Sequence, residues 1–269
     1  MLQKFLPWLI QLTPNTKRTF WKWWYNLFAR KAAGDSFRFM NYGYDADGFR
    51  PDLLAEDEAE RYPIHLYHHV ATMSGNITGK TVLEVGSGRG GGAAYIAKNL
   101  KPKSIHGIDI SNDAVRLCNE TYSENNLAFT EGNSEEIPFD SDSFEAVLNV
   151  ESSHCYGDMD MFLSEVKRVL IPGGYFLWCD LRQNTLLQEL DSQFKNSGLV
   201  LVQKNNITEN ILSALVKMST ARKSAIKKRV PFLIRRTFES YAGVEGSRVH
   251  KAFRNGALVY LSAVLQNPE

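Results

Sequence analysis

The sequence predicts an α/β fold built on a mostly parallel sheet with helices on both faces. Three observations carry that expectation. From about residue 80, short apolar runs alternate with segments of helical periodicity. The links between them are short, as in strand–helix–strand units. The first apolar run, "TVLEV", opens directly into a glycine-rich turn, "GSGRGGG".

The elements follow in order. "TVLEV" reads as a strand buried on both faces, because near-continuous apolar runs belong to parallel sheets. After the glycine turn comes a helix, "GGAAYIAKNL". "SIHGIDI" is a second strand and "SNDAVRLCNETYSENN" a second helix, with Ser111 as its N-cap. "LAFTEG" and "FEAVLNV" supply strands three and four. "DMDMFLSEVKRVL" has apolar residues at helical spacing, and "IPGG" ends that helix before a fifth strand, "GGYFLWCDL". The last third breaks the rhythm. A strand, "LVLVQKN", precedes a basic helical stretch from about Thr208 to Glu245, then the final apolar strand "ALVYLSAVLQ". The basic stretch reads as an insertion that forms a lid with the N-terminal region.

A chain of 269 residues, 43% of them hydrophobic, can bury one large core or a core plus a small cap. Its 31 basic residues against 30 acidic ones argue against a nucleic-acid partner. Cys118, Cys155 and Cys179 are far apart and show no zinc spacing, which suits a reducing, cytoplasmic setting. No apolar run of about 18 residues is present, so no membrane-spanning helix is expected. The opening "MLQKFLPWLIQLTP" lacks a small-residue cleavage site and is not read as a signal peptide. Lys4, Lys17, Arg18, Lys22, Arg30 and Lys31 precede the first acid, Asp35, and Trp8, Trp21, Trp23 and Trp24 stand among them. Such a segment either packs over the core with its cations in solvent or lies peripherally in a membrane interface.

The glycine turn fits two loops. Gly86, Gly88 and Gly91 satisfy the dinucleotide pattern G-x-G-x-x-G, which alone is weak evidence. Glu84, Gly86, Gly88 and Gly90 satisfy an acidic G-x-G-x-G pattern of loops that bind S-adenosyl-L-methionine (SAM). Glu84 separates the two: a carboxylate repels a pyrophosphate and suits a cationic ammonium and sulfonium. Asp109, at the end of the second strand, does not discriminate, because it can accept ribose hydroxyls from either ligand.

Four ordered blocks, "VLEVGSGRG", "GIDIS", "EGNSEEIPFDSDSFEAVLNVESSHCY" and "EVKRVLIPGGYF", resemble a class I SAM-dependent methyltransferase. "NYGYD", "HLYHHVAT" and "GGYFLWCDLR" resemble more closely the phthiotriol/phenolphthiotriol dimycocerosates methyltransferases and similar lipid or polyketide O-methyltransferases. The resemblance implies a seven-stranded, Rossmann-like sheet with a reversed last strand. It implies a helical cap region over residues 1–75, the SAM-binding core over 76–206, a helical lid over 207–246, and a final helix and strand over 247–269. It also implies site residues. Gly86, Gly88 and Gly90 would line the methionine and ribose side of the donor. Glu84 would orient the ammonium, directly or through water, and Asp109 would hold the ribose. Ile110 would pack on adenine. Asn133 and Ser134 would face its amine, Asn133 standing where the family usually has an acid. The Asn149 backbone carbonyl would meet the ammonium, and Tyr44 would close the pocket over the sulfonium.

Methyl transfer to a hydroxyl needs an in-line approach and a base. "ESSHCY" offers His154 as that base, since a neutral imidazole takes a proton near neutral pH. The bland reading is a buried histidine that only shapes the pocket. Glu151 either orients His154 or caps a loop. His65, His68 and His69 sit on a helix in "HLYHHVA"; His68 or Tyr67 is expected near the acceptor unless they only pack, and no metal is expected. Residues 222–236 carry seven cations among Val230, Phe232, Leu233 and Ile234, which suits a lipophilic acceptor drawn from a membrane, or a solvated helix face. The expected function is SAM-dependent O-methylation of a lipid, polyketide or related secondary metabolite. Methylation of carbon or nitrogen, or a silent SAM-binding protein, are the alternatives.

Overall fold

The computed structural model describes residues 38–229, Phe232, Arg235, Glu239, Ser240 and 242–269. The basic, aromatic opening and the cap residues Val230, Leu233 and Ile234 lie outside the described residues. Helix α1 (Arg61–Thr72) follows a single 3-10 turn, Ala55–Glu60. Then come β1 (Thr81–Val85), α2 (Gly91–Asn99), β2 (Ser104–Asp109), α3 (Asn112–Thr121), β3 (Leu127–Glu131) and β4 (Phe144–Val150). The chain continues through α4 (Met159–Val169), β5 (Leu170–Gln183), α5 (Leu187–Asn196), β6 (Val200–Asn206), α6 (Thr208–Arg229), α7 (Arg248–Arg254) and β7 (Leu258–Gln266).

The seven strands lie in the order β3-β2-β1-β4-β5-β7-β6. β7 runs antiparallel to both its neighbours, and the remaining pairs are parallel. The expected parallel sheet with a reversed last strand is therefore what forms. Its order reverses at β1, whose two neighbours are β2 and β4. In open α/β sheets a crevice opens there, beyond the carboxyl ends of the strands.

Side chains alternate across the sheet with period two. Val82 enters the core beneath α1, α2, α3, α6 and α7, whereas Leu83 and Val85 enter the core beneath α4 and α5. Glu84 shares the face of Val82, so its carboxylate is delivered into the first core. Cap chemistry behaves as the sequence suggests: Ser111 accepts from the Ala114 N–H, and Asp158 and Ser247 cap α4 and α7 in the same way.

Two expectations are adjusted. The "IPGG" run is not merely a helix stop, because β5 already begins at Leu170 and pairs with Phe144. Pairing then jumps to Ala146–Tyr175, leaving the Pro-Gly-Gly run as an irregularity within the strand. The basic stretch is helical over Thr208–Arg229, and the described residues 242–246 before α7 are not helical. Gly243 adopts φ +63°, a left-handed value that ends helical geometry, and α7 restarts at Arg248.

The glycines after the turn let α2 approach α1 and the preceding chain. A Cβ on Gly92 would lie 2.0 Å from the Tyr67 ring, and one on Gly91 would lie 2.5 Å from the Arg38 carbonyl oxygen. Gly92→Ala should therefore force Tyr67 aside and cost about 1–3 kcal/mol. Urea unfolding checks this; an unchanged midpoint would show that Tyr67 swings away freely.

Candidate active site

A cleft of about 930 Å³, counting its open mouth, lies at the carboxyl ends of β1 to β4. Its floor is the turn Val85–Arg89. Asp109 and Ile110 form one wall, Gly132–Glu135 another, and Val150–Ser152 with Cys155 and Tyr156 a third. Arg38, Phe39, Met40 and Asn41 cross over it, and Tyr67 reaches it from α1.

The turn is held by backbone geometry. Gly86, Gly88 and Gly90 have φ of +81°, +54° and +76°, all in the left-handed region that favours glycine. These three, and not Gly91, are the glycines of the G-x-G-x-G reading. Gly86 is doubly required, since a Cβ there would lie 2.4 Å from the Ser152 hydroxyl. The Gly86 and Ser87 N–H groups donate to the Ile108 carbonyl. Asp109 accepts from the Gly88 N–H through Oδ2 (2.8 Å) and from the Ser111 N–H through Oδ1 (2.9 Å). One carboxylate thus ties the turn, β2 and the start of α3 together at the cleft wall.

Tyr67, Gly86, Gly88, Asp109, Ile110, Asn133, Ser134 and Glu151 are gathered around the cleft as residues that line it. Glu84, Gly90, Asn149, Tyr44, His68 and His154 are not among them. Gly90 supports the turn from behind, where a Cβ would meet Cys118, Phe129 and Tyr122 at 2.8 Å. Asn133 uses its side-chain oxygen to accept from the Glu135 N–H, forming a local turn. Glu135, which the sequence reading passed over, accepts from the Gly157 and Asp158 N–H groups and so anchors the segment after β4.

Glu84 lies fully buried beneath the turn, where Tyr67 O–H donates to its Oε1 (2.7 Å) and the Ala93 N–H in the first turn of α2 also bonds to it. An acid at a helix N-terminus meets a favourable dipole. Its other oxygen, Oε2, has no hydrogen-bond partner among the described residues. Burial pushes this carboxyl up to about 7 and Asp109 adds to the rise, while the Tyr67 hydrogen bond and the Ala93 N–H oppose it.

Asn149 is a bolt rather than a wall. Its Nδ2 lies within 2.9 Å of the Val85 carbonyl and the hydroxyls of Ser152 and Tyr156, joining β1 to the turn after β4. Tyr44 does not cover the cleft. It stacks on His69 with ring centres 4.3 Å apart and meets Phe49 edge-on, so the expected role over a sulfonium passes to no ring at that position. His68 turns away to the Tyr95 hydroxyl (2.7 Å). His65, His68 and His69 all pack around Phe49. Burial lowers His65 and His69 to about 4, so both are neutral packing groups at ordinary pH. No cluster of three metal-ligating side chains occurs among the described residues.

His154 sits in a 3-10 turn, Ser153–Cys155, just past β4. Its Nδ1 lies 2.7 Å from Asp180 Oδ1, and its backbone N–H donates to Asp180 Oδ2 at 2.7 Å. Asp180 is fully buried at the carboxyl end of β5 and also receives Ser153 O–H (2.6 Å) and Arg182 (2.9 Å). Burial opposes ionisation of Asp180, but His154 and Arg182 outweigh it and hold the carboxyl far below its ordinary range. Burial also opposes a charge on His154, yet Cys155 and the Asp180 carboxylate raise its proton affinity well above 6.5. The neutral imidazole expected from sequence is therefore displaced toward the charged form. The orienting acid is Asp180, not Glu151, whose Oε2 instead accepts from the Tyr42 N–H and Tyr260 O–H, both at 2.8 Å. A carboxylate closing the apolar run "YFLWCD" was the available signal, since aspartate is seldom fully buried without partners.

A family profile described as "Methyltransferase domain" matches residues 83–178. The phthiotriol/phenolphthiotriol dimycocerosates methyltransferase of Mycobacterium leprae is 35% identical over 241 residues, which span 89% of each chain. The fatty-acid O-methyltransferase of Mycolicibacterium smegmatis is 35% identical over 88% of this chain and 85% of its own. Among solved structures, geranyl diphosphate C-methyltransferase from Streptomyces coelicolor, in complex with S-adenosylhomocysteine, shares the fold at a TM-score of 0.67 and 15% identity, over 93% of this chain and 97% of its own. The [4+2]-cyclase SpnF shares it at 0.68 and 16% identity, over 95% and 96%. A cyclase and a methyltransferase on one fold show that activity resides in the site.

Glu84 makes a pH test of this arrangement. Its carboxyl holds a proton in the folded state above the ordinary value of 4.5, so its contribution is complete below that value and is lost as pH rises through about 7. Glu84→Gln keeps an oxygen for Tyr67 and cannot ionise. Thermal unfolding of the ligand-free variant should show a higher midpoint than wild type near about pH 8 and little difference near about pH 4. A lower midpoint at the alkaline end would show that the charge itself holds the turn.

Proposed function

The chain belongs to the SAM-dependent methyltransferases, in the family of the phthiotriol/phenolphthiotriol dimycocerosates methyltransferases, and from that membership we propose that it methylates a hydroxyl oxygen of a lipid, polyketide or related secondary metabolite. One observation supports the acceptor class above others: relatives named for fatty-acid and dimycocerosate acceptors align with nearly nine-tenths of this chain.

The residues present fit the donor. The cleft is lined by the acids Asp109, Glu135 and Glu151 together with the cations Arg38 and Arg89, a mixed lining that suits a ligand carrying both an ammonium and a carboxylate. Polar atoms without hydrogen-bond partners cluster about the turn: Ser87 Oγ, Glu84 Oε2 and Asn149 Oδ1. When bound, the donor supplies an electrophilic methyl carbon on a cationic sulfur. Asp109, whose carboxylate already accepts from the Gly88 and Ser111 N–H groups, would hold the ribose. Ile110 and Ser134 would flank the adenine, and the glycine turn would admit the methionine moiety. Glu84 would act through the Oε2 atom beneath the turn, by water, rather than from the wall.

On the acceptor side, His154 would take the hydroxyl proton. Asp180, which holds Nδ1, would orient the ring and stabilise the imidazolium that results. The ring must be neutral to begin. Because Asp180 raises its proton affinity, kcat/KM should climb as pH rises through an inflection above 6.5. Asp180→Asn should move that inflection down and lower the plateau by about tenfold or more, and His154→Gln should remove most turnover while leaving SAM affinity nearly intact. The named fatty-acid relative supports a second reading, in which the acceptor oxygen is a carboxylate. That oxygen is ionised at neutral pH and needs no base; a charged His154 would bind it, and the rate would fall as pH rises. The slope of the pH profile separates the two.

Peripheral membrane association is part of the proposal. Lys223, Lys227 and Lys228 are exposed near the end of α6, and Phe232 beyond it is 80% exposed. No helix among the described residues is long and apolar enough to cross a membrane. The protein should co-sediment with anionic vesicles and release at high salt; equal sedimentation with neutral vesicles at all salt concentrations would remove charge as the cause.

A further inference from the structure

Glu151 is the acid that the mechanism above leaves unused. It follows β4 directly and lines the donor cleft between Val150 and Ser152. Its backbone has φ +51°, a left-handed value that is costly for a residue with a Cβ and concentrates at functional positions. The conformation turns the carboxyl back toward the chain that crosses the cleft. There Oε2 accepts from the Tyr42 N–H and from Tyr260 O–H. Both donors are neutral, and Oε1 has no hydrogen-bond partner among the described residues. Glu151 makes no ion pair there either, in contrast to Asp180.

We propose that Glu151 distinguishes the charged methyl donor from the neutral sulfide left after transfer. The inference rests on the SAM reading of the cleft. In the transfer the carbon–sulfur bond breaks, its electron pair stays on sulfur, and the methyl carbon bonds to the acceptor oxygen, whose proton goes to His154. The sulfonium thereby loses its positive charge, while the ammonium and carboxylate of the ligand are unchanged. A carboxyl that lines the donor cleft at the end of β4 would meet a cation before the reaction and none after it. Opposite charges within about 4–6 Å favour ionisation. An unpaired acid there therefore binds the donor more tightly than the product, and loses that hold at the moment of release.

The surroundings leave this carboxyl ready to respond. Burial pushes it up to about 7; the Tyr42 and Tyr260 hydrogen bonds and the charge on His154 pull it down, and Asp180 pushes it up. Arg222 from α6 also faces it, although that guanidinium is spent on the carbonyls of Ala242 and Asn41. Tyr67 and Cys179 also feel its charge. Near neutral pH the empty protein holds Glu151 partly protonated, so a cation in the cleft favours release of that proton.

Isothermal titration of the full chain near neutral pH, in two buffers of different ionisation heat, measures this. SAM binding should release protons that S-adenosylhomocysteine binding does not. Glu151→Gln, which keeps an acceptor for Tyr42 and Tyr260, should abolish that difference, weaken SAM by about tenfold or more, and change S-adenosylhomocysteine by less than about threefold. Equal proton release by both ligands, or equal weakening of both, would overturn the inference and leave Glu151 as a fastener of the overlying chain. If wild type binds neither ligand, the donor reading itself fails. Should Glu151→Gln not fold, His154→Gln decides: a SAM-specific release that persists supports Glu151, and one that vanishes assigns the proton to His154.

Discussion

Everything about the site depends on a buried hydrogen bond between Tyr67 and Glu84. It lies where α1, β1 and the first turn of α2 meet, directly beneath the glycine turn. The carboxyl accepts from the Ala93 N–H at the helix start, and the phenol donates to the carboxyl. Gly92 makes the contact possible, since any side chain there would displace the Tyr67 ring. Without this pairing a fully buried acid would stand against apolar neighbours, a strongly unfavourable state. The turn above it holds its shape because its support does not move.

The acids around the cleft divide their work by what they touch. Asp109 is engaged by backbone N–H groups of the turn and α3, and so serves architecture and ligand at once. Asp180 is committed to His154, Ser153 and Arg182, and its charge is fixed across any ordinary pH. Glu151 has only neutral donors. A charge already paired in the interior cannot answer a ligand's charge, whereas one held by neutral dipoles can.

The segment over the cleft is tied down along its length. Arg38 bonds to Asp57 and Glu60, the Tyr42 N–H to Glu151, and the Tyr44 N–H to the Tyr62 carbonyl. Asp45 receives Ser213 and Lys217 from α6. Donor cleft, α1 and α6 are thereby joined through one stretch of chain.

Much of the fold and part of the site were legible in the sequence. Strands and helices follow from periodicities of two and 3.6 residues, which are local. Glycines at 86, 88 and 90 and the cap at Ser111 follow from torsions and hydrogen bonds spanning a few residues. Asp109 followed because a strand–helix–strand unit sets β2 beside β1 and brings its end to the turn. Placement of the other acids did not follow. Alternation along β1 put Glu84 on the face opposite Leu83 and Val85, but only the packed layers show that this face is closed by Tyr67. His154 met Asp180, and not the nearer Glu151, because β4 lies beside β5 and its last residue, Val150, pairs with Cys179, next to Asp180. Glu151 met Tyr42 and Tyr260, each 109 residues away. Short-range sterics decide what a segment is, and the chain states them in its own order. Which charge faces which partner is decided by strand adjacency and layer packing, and these exist only once distant segments have been brought together.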